Sequence, residues 1–223
     1  MTLKVERFED GFFPQKAAAR IAAELPTSKT VVLTGGTTAE KIYYPLAETG
    51  MEWTNKAIFF SDERCVPPDD DASNYKMARR TLLDAVGAAQ IHRMRGEDPP
   101  DEASAAYSAE IEAAAPGGFD LLLLGMGADR HIGAMFPGSP ALEVKDSLCA
   151  AVDRPDGMKG LTLTPPAMVP ATKILLLVSG AGKAEAVARV INSDDPVSES
   201  PPRLLADHPD VTFLLDESAA SRL

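Results

Sequence analysis

Three stretches of the chain carry side chains whose types and spacing could do chemistry. The first is Leu121-Leu122-Leu123-Leu124-Gly125-Met126-Gly127-Ala128-Asp129-Arg130-His131. A run of four leucines enters a glycine turn, and the turn delivers an Asp and a His two residues apart. Imidazole in its ordinary state titrates near neutrality, so a His beside an Asp suits general-base work on a water molecule. The second stretch is Ser61-Asp62-Glu63-Arg64. Here Arg64 can face an oxyanion, and Asp62 can hydrogen-bond or transfer a proton. The third is a pair of glycine turns, Gly35-Gly36-Thr37-Thr38 and Gly180-Ala181-Gly182-Lys183. Turns of this kind aim backbone N–H groups and a helix N-terminus at an anion, and Lys183 adds a charge.

Other chemistries fit less well. Gly180–Lys183 lacks the Walker A spacing, because Ala184 stands where Ser or Thr belongs. In Gly125-Met126-Gly127 the third glycine of a dinucleotide fingerprint falls at Arg130. His92 and His208, in Ile91-His92-Arg93 and before Pro209, read as structural or exposed, and no set of residues has metal-ligand spacing. Cys65 and Cys149 form no CxxC pair and read as free thiols, with a nucleophilic Cys65 beside Arg64 as a minor possibility.

The elements that must position these groups follow from periodicity and punctuation. Helical spacing runs over 9–25 and is closed by Pro26; further helices are expected over 39–46, from Ser73 or Asn74 to 83, over 102–115 and from Lys183 to 191. Strands are expected at 30–34, 57–60, 121–124, 148–152, 161–164, 174–179 and 211–215. Four successive leucines do not alternate faces, so that strand is covered on both sides, as in a parallel sheet. Strand-turn-helix units in series predict an α/β fold: a doubly wound, mostly parallel sheet with helices on both faces, a Rossmann-like three-layer αβα arrangement. In such sheets ligands sit beyond the carboxyl ends of the strands, where the glycine turns fall. With 223 residues and no linker, a single domain over 1–223 is expected.

Composition narrows the partners. Apolar residues make up 45% of the chain and charged residues 25%, which supports a packed core. The net charge of −11 and the lack of a Lys/Arg cluster speak against nucleic acid and fit solubility or a salty environment. No signal-peptide core or membrane-length apolar run is present, so a cytoplasmic protein without membrane contact is expected. An anionic substrate would need a local cationic pocket set against the global field.

Taken in order, the motifs resemble the 6-phosphogluconolactonase family, within the wider group of glucosamine-6-phosphate isomerases and deaminases. The resemblance is carried by Gly35-Gly36-Thr37, by Ser61-Asp62-Glu63-Arg64-Cys65-Val66-Pro67 with Ser73-Asn74, and by Leu124-Gly125-Met126-Gly127-Ala128-Asp129-x-His131 with Phe136-Pro137-Gly138-Ser139. Leu161-Thr162-Leu163-Thr164, Gly180-x-x-Lys183 and Asp216-x-x-Ala219-Ala220 complete it. It implies hydrolysis of 6-phospho-D-glucono-1,5-lactone to 6-phospho-D-gluconate in the oxidative pentose phosphate pathway, with no cofactor or metal, by a monomer or weak homodimer. On this reading His131 is the general base and Asp129 orients it or shapes the turn. Arg64 or turn N–H groups around Gly127 stabilise the developing oxyanion. The phosphate rests on Gly35, Gly36, Thr37 and Lys183, so that remote binding holds the reacting carbon in place.

Two departures from the family pattern matter. Arg130 stands where the family has Gly, and if that turn needs φ > 0 an Arg there is strained. Gly160, preceded by Lys159, stands where the family commonly has Arg. Arg130 or Lys159 is therefore expected to supply the missing phosphate-binding cation; alternatively Arg130 obstructs the pocket. Two other readings compete. One is an amino-sugar-phosphate isomerase or deaminase with Asp62 as the base, although no Glu follows His131 before Glu143. The other is a non-catalytic sugar-phosphate-binding protein.

Overall fold

The computed structural model describes residues 3–223. In chain order the strands are β1 (Lys4–Phe8), β2 (Thr30–Leu33), β3 (Ala57–Phe60), β4 (Asp62–Arg64), β5 (Gln90–Ile91), β6 (Leu121–Gly125), β7 (Cys149–Asp153), β8 (Lys159–Leu163), β9 (Lys173–Val178) and β10 (Val211–Asp216). Seven of them form one sheet in the order β1-β10-β9-β6-β2-β3-β5, with every neighbouring pair parallel. From β2 the chain adds β3 and β5 on one side. It then crosses back to lay β6, β9 and β10 on the other, so the winding reverses between β2 and β6.

The helices are α1 (Phe13–Ala22), α2 (Thr37–Ala47), α3 (Asn74–Ala78), α4 (Asp84–Val86), α5 (Pro100–Ala114), α6 (Pro165–Met168) and α7 (Ala184–Asn192). They divide between the faces of the sheet as expected. The leucine quartet shows why: Leu121 and Leu123 enter one core with Ile21 of α1 and Ile42 and Leu46 of α2, while Leu122 and Leu124 enter the other with Tyr107 of α5 and Val187 of α7. All four leucines are fully buried. Burying one such side chain contributes roughly 1.5–3 kcal/mol relative to exposure, which makes β6 a firm base for the turn that follows it.

Several expectations are corrected. Ser61–Arg64, read as the charged end of a strand, runs on into β4, which joins β8 and β7 in a second, antiparallel sheet. Leu161 and Leu163 of β8 are buried in the core, and their strand needs a partner on that side. The helix expected over 9–25 is α1 flanked by 3-10 turns at Asp10–Phe12 and Leu25–Thr27. The helix expected from Ser73 or Asn74 to 83 is α3, whose cap is Ser73 (its Oγ accepts from Lys76 N at 3.1 Å), followed by a π-helical turn at Arg79–Leu83 leading into α4. β1 and β5 are short or half-exposed edge strands that local pattern does not reveal. No helix is long and apolar enough to cross a membrane among the described residues.

His92 stacks on Phe59 with ring centroids 4.6 Å apart and meets Glu110 at 2.7 Å, and His208 Nε2 lies 2.6 Å from the Ala171 carbonyl oxygen, so both are structural. Cys149 is buried, and burial pushes its thiol up to about 12. Cys65 is also raised, by burial and then by Glu63, which removes the case for a thiolate nucleophile.

Candidate active site

A cleft of about 230 Å³ opens at the carboxyl ends of β2, β6 and β9, where the winding reverses. β2 contributes Thr34 and the turn Gly35–Thr38, β6 contributes Gly125–Gly127 and His131, and β4 brings Asp62 and Arg64. Lys183 enters from the turn after β9, and Arg154 from the end of β7. A larger hollow of about 820 Å³, lined by Phe8, Phe12, Lys16 and Leu223 among others, holds neither a histidine nor a glycine turn. Of the residues expected from sequence, Gly35, Gly36, Thr37, Asp62, Arg64, His131 and Lys183 line the cleft. Asp129 lies against His131, whereas Arg130 and Lys159 do not line the cleft.

The turn after β6 builds an Asp–His pair. Gly127 N donates to the His131 carbonyl at 3.0 Å and Arg130 N to the Gly127 carbonyl at 3.0 Å, closing the loop on itself. Asp129 Oδ1 accepts from His131 N at 3.3 Å and lies 2.7 Å from His131 Nδ1. The Phe136 ring supports the imidazole, centroid to centroid 4.6 Å. With Nδ1 donating to Asp129, Nε2 keeps its lone pair as the basic nitrogen. The hydrogen bond from His131 holds the Asp129 carboxyl down at about 2, against a smaller opposing effect of burial. Gly127 is required by space: a Cβ there would stand 2.1 Å from Asp129 Oδ1 and 2.2 Å from His131 Nδ1.

Arg130 is the single non-glycine residue at positive φ among the described residues, at 72°. Its guanidinium turns away from the cleft and donates from Nε (3.2 Å) and Nη2 (3.0 Å) to the Glu199 carbonyl. Neither the phosphate-binding nor the obstructing role expected of Arg130 fits this placement. Arg130→Gly is expected to leave KM and kcat unchanged. Relief of the left-handed backbone, about 1 kcal/mol, offsets the lost exposed hydrogen bonds and the added chain entropy. Thermal unfolding should therefore shift by no more than a few degrees.

Lys159 also fails as the missing cation, because its exposed ammonium pairs with Asp153 at 2.5 Å. Arg154, not Lys159, lies in the cleft wall. It sits in Arg154-Pro155-Asp156-Gly157, which reads in sequence as polar loop. The Asp156-Gly157 pair, a hairpin signal, was the available hint that the chain folds back and lays Arg154 beside β8.

One end of the cleft is built on glycine. Gly36, at φ 92°, caps α2, and Gly35 abuts the Asn74 side chain so closely that a Cβ would fall 2.0 Å from Oδ1. Asn74 Nδ2 donates to the Asp62 carbonyl (2.8 Å) and to Asp62 Oδ2 (3.0 Å), while Ser61 Oγ donates to Asp62 Oδ1 at 2.6 Å. Glu63 secures α3 by accepting from Arg64 N, Asn74 N, Tyr75 N and Ser73 Oγ. Burial pushes the Glu63 carboxyl up, and these four bonds work the other way. Asp216 fixes the other glycine turn by accepting from Gly180 N at 3.0 and 2.8 Å, and Thr38 Oγ1 meets Ser179 Oγ at 3.0 Å across the two turns. Lys183 makes no ion pair among the described residues; burial lowers its ammonium, with Asp129 partly offsetting. Arg64 donates from Nη1 to the Ala72 carbonyl at 2.6 Å, and its buried Nε has no partner. No cluster of three or more His, Cys, Asp or Glu that could hold a metal occurs among the described residues.

Comparison with known proteins identifies the family of the chain. The model of the family described as glucosamine-6-phosphate isomerases/6-phosphogluconolactonase matches residues 13–213. A 6-phosphogluconolactonase of Mycobacterium tuberculosis is 40% identical over 210 residues, covering 86% of this chain and 84% of that protein. One from Synechocystis is 35% identical over 203 residues, covering 87% and 84%. The crystal structure of a 6-phosphogluconolactonase from Shewanella baltica superposes with a TM-score of 0.85 at 28% identity, over 96% of this chain and 97% of the other. A cleft with its Asp–His pair at the winding reversal, in a chain matched over nearly its whole length, belongs to the glucosamine-6-phosphate isomerase/6-phosphogluconolactonase family.

Proposed function

We propose that this protein hydrolyses 6-phospho-D-glucono-1,5-lactone to 6-phospho-D-gluconate, with His131 activating the water. The observation that carries the mechanism is the 2.7 Å contact between Asp129 and His131 Nδ1 in a cleft that also holds Lys183 and the Gly35–Thr38 turn. The water oxygen attacks C1 while its proton passes to His131 Nε2. Asp129, ionised and bonded to Nδ1, steadies the imidazolium that forms. Gly127 N–H is committed to the His131 carbonyl, so the oxyanion is assigned to Arg64, which lines the cleft. Collapse of the tetrahedral intermediate breaks the bond from C1 to the ring oxygen. The imidazolium returns its proton to that oxygen, leaving a hydroxyl and the carboxylic acid, which ionises at neutral pH. The Gly35–Thr38 turn, the α2 N-terminus and Lys183 hold the 6-phosphate.

Two competing readings lose support. Both oxygens of Asp62 already accept hydrogen bonds from Ser61 and Asn74, which ill suits a proton-abstracting base. The non-catalytic reading rested on Arg130 obstructing the pocket, and Arg130 points elsewhere. The test is to generate the phosphorylated lactone in situ and follow its loss by NMR. Acceleration well above the spontaneous rate is expected; a rate equal to background would sink the proposal.

A further inference from the structure

Arg154 and Gly160 share one space. A Cβ built on Gly160 would stand 3.1 Å from Arg154 Cδ and 3.4 Å from Cγ, so the arginine's methylenes run over the bare glycine backbone. From there the side chain, only 11% exposed, reaches the cleft wall. Its guanidinium lies over the Phe136 ring at 5.5 Å, the same ring that supports His131. Asp156 accepts from Nε at 3.2 Å and Nη2 at 2.9 Å, and Nη1 makes no hydrogen bond among the described residues. The guanidinium is therefore oriented before any ligand arrives, so little side-chain freedom remains to be lost on binding.

Charge points to what it binds. The chain carries a net charge of −11, so a phosphate dianion is attracted only by local cations. The cleft lining has three, Arg64, Arg154 and Lys183, set against Asp62 and the Asp129 that backs His131. Asp156 pairs with Arg154 through Nε and Nη2, so Arg154 adds one further charged donor to the backbone N–H groups of the Gly35–Thr38 turn rather than supplying the whole pull on a dianion. Arg64 already spends Nη1 on the Ala72 carbonyl. Each arginine keeps one Nη group without a hydrogen bond among the described residues, Nη2 of Arg64 and Nη1 of Arg154, and Arg64 is the one assigned to the oxyanion.

We propose that Arg154 is the specificity-determining residue that selects the phosphorylated substrate, by a charge-assisted hydrogen bond from Nη1 to the phosphate, and that Gly160 is the vacancy that lets it do so. The identity of that substrate rests on the lactonase reading; the anion-binding role does not. In Arg154→Ala, KM for the phosphorylated lactone should rise roughly 10- to 100-fold, the range for loss of a charged hydrogen bond. The kcat should stay within a few-fold, and hydrolysis of unphosphorylated glucono-1,5-lactone should be unchanged. Arg154→Gln keeps side-chain bulk over Gly160 and Phe136 and should show the same split, which separates lost charge from lost packing. Gly160→Arg in the Arg154→Ala background should recover much of the KM, because the new side chain enters the emptied space.

An unchanged KM in both single variants, or equal losses on both lactones, would overturn the proposal. Calorimetric titration with 6-phosphogluconate separates it from the lactonase reading. If the wild type turns over neither lactone, yet its affinity for 6-phosphogluconate falls at least tenfold in Arg154→Gln, the lactonase reading fails and the anion assignment stands. If the wild type turns over and that affinity does not change, the reverse holds.

Discussion

Replacing His131 with alanine is expected to lower kcat for lactone hydrolysis by about 10²–10⁴, the usual contribution of a positioned general base, while KM changes by less than a few-fold. In the proposed mechanism His131 activates the water, whereas the groups assigned to the phosphate lie on other elements, so binding and chemistry should separate cleanly in the kinetics. A loss confined to KM would show that His131 binds rather than activates. Asp129→Asn should also lower kcat, because an amide presenting N–H to Nδ1 favours the wrong tautomer. The sign of the pH effect follows from the direction of the shift. Asp129 is held down at about 2 by His131, so the stabilisation from their contact is fully present above the ordinary carboxylate value of 3.8. It is lost as pH falls through about 2. The wild type should therefore lose more stability than Asp129→Asn between pH 4 and pH 2, measured by thermal unfolding.

Gly127→Ala is expected to cost at least about 10² in kcat with the fold retained, an effect of the size seen when a catalytic group is displaced by an ångström. Gly127 is not among the residues at positive φ, so its backbone would accept alanine. The obstacle is space alone. The new methyl would stand 2.1 Å from Asp129 Oδ1, 2.2 Å from His131 Nδ1 and 2.5 Å from His131 Cε1, and one or both groups must move. Circular dichroism should match the wild type, and the His131 Nδ1 proton resonance should shift or vanish in NMR. Full activity would mean that the 2.7 Å contact is not needed for turnover.

The sequence was most legible where one residue type fixes one local geometry. The leucine quartet placed β6 within a residue because a doubly covered strand needs an unbroken apolar run. The glycines after β2, β6 and β9 located the cleft because turns at strand ends are where an α/β sheet opens to ligand. The cations were harder to place. Arg130 lies next to His131 in sequence and Lys159 next to Gly160, but a side chain's direction depends on φ and on strand register. Left-handed φ sends Arg130 to Glu199, and β8 pairing turns Lys159 toward Asp153. Arg154 reaches the cleft through an antiparallel hairpin whose register no local pattern encodes. β4 was hidden for the same reason: its three charged residues are in a strand by pairing with Gly160–Thr162 of the distant β8.

The pairing of β1 with β10 has a consequence for how the molecule is made. Lys4 lies beside Thr212, and Phe8 beside Asp216, so β1, made before the other strands of the sheet, completes its hydrogen bonds only with β10, made after them. On a ribosome, at roughly 5–20 residues per second, that first strand spends on the order of ten seconds or more without its partner. The Leu121–Leu124 strand can meanwhile settle against β2, already released and only 90 residues away in chain distance. Assembly from the middle outward leaves β1 among the last pieces to dock, an edge strand with β10 as its one neighbour in the sheet.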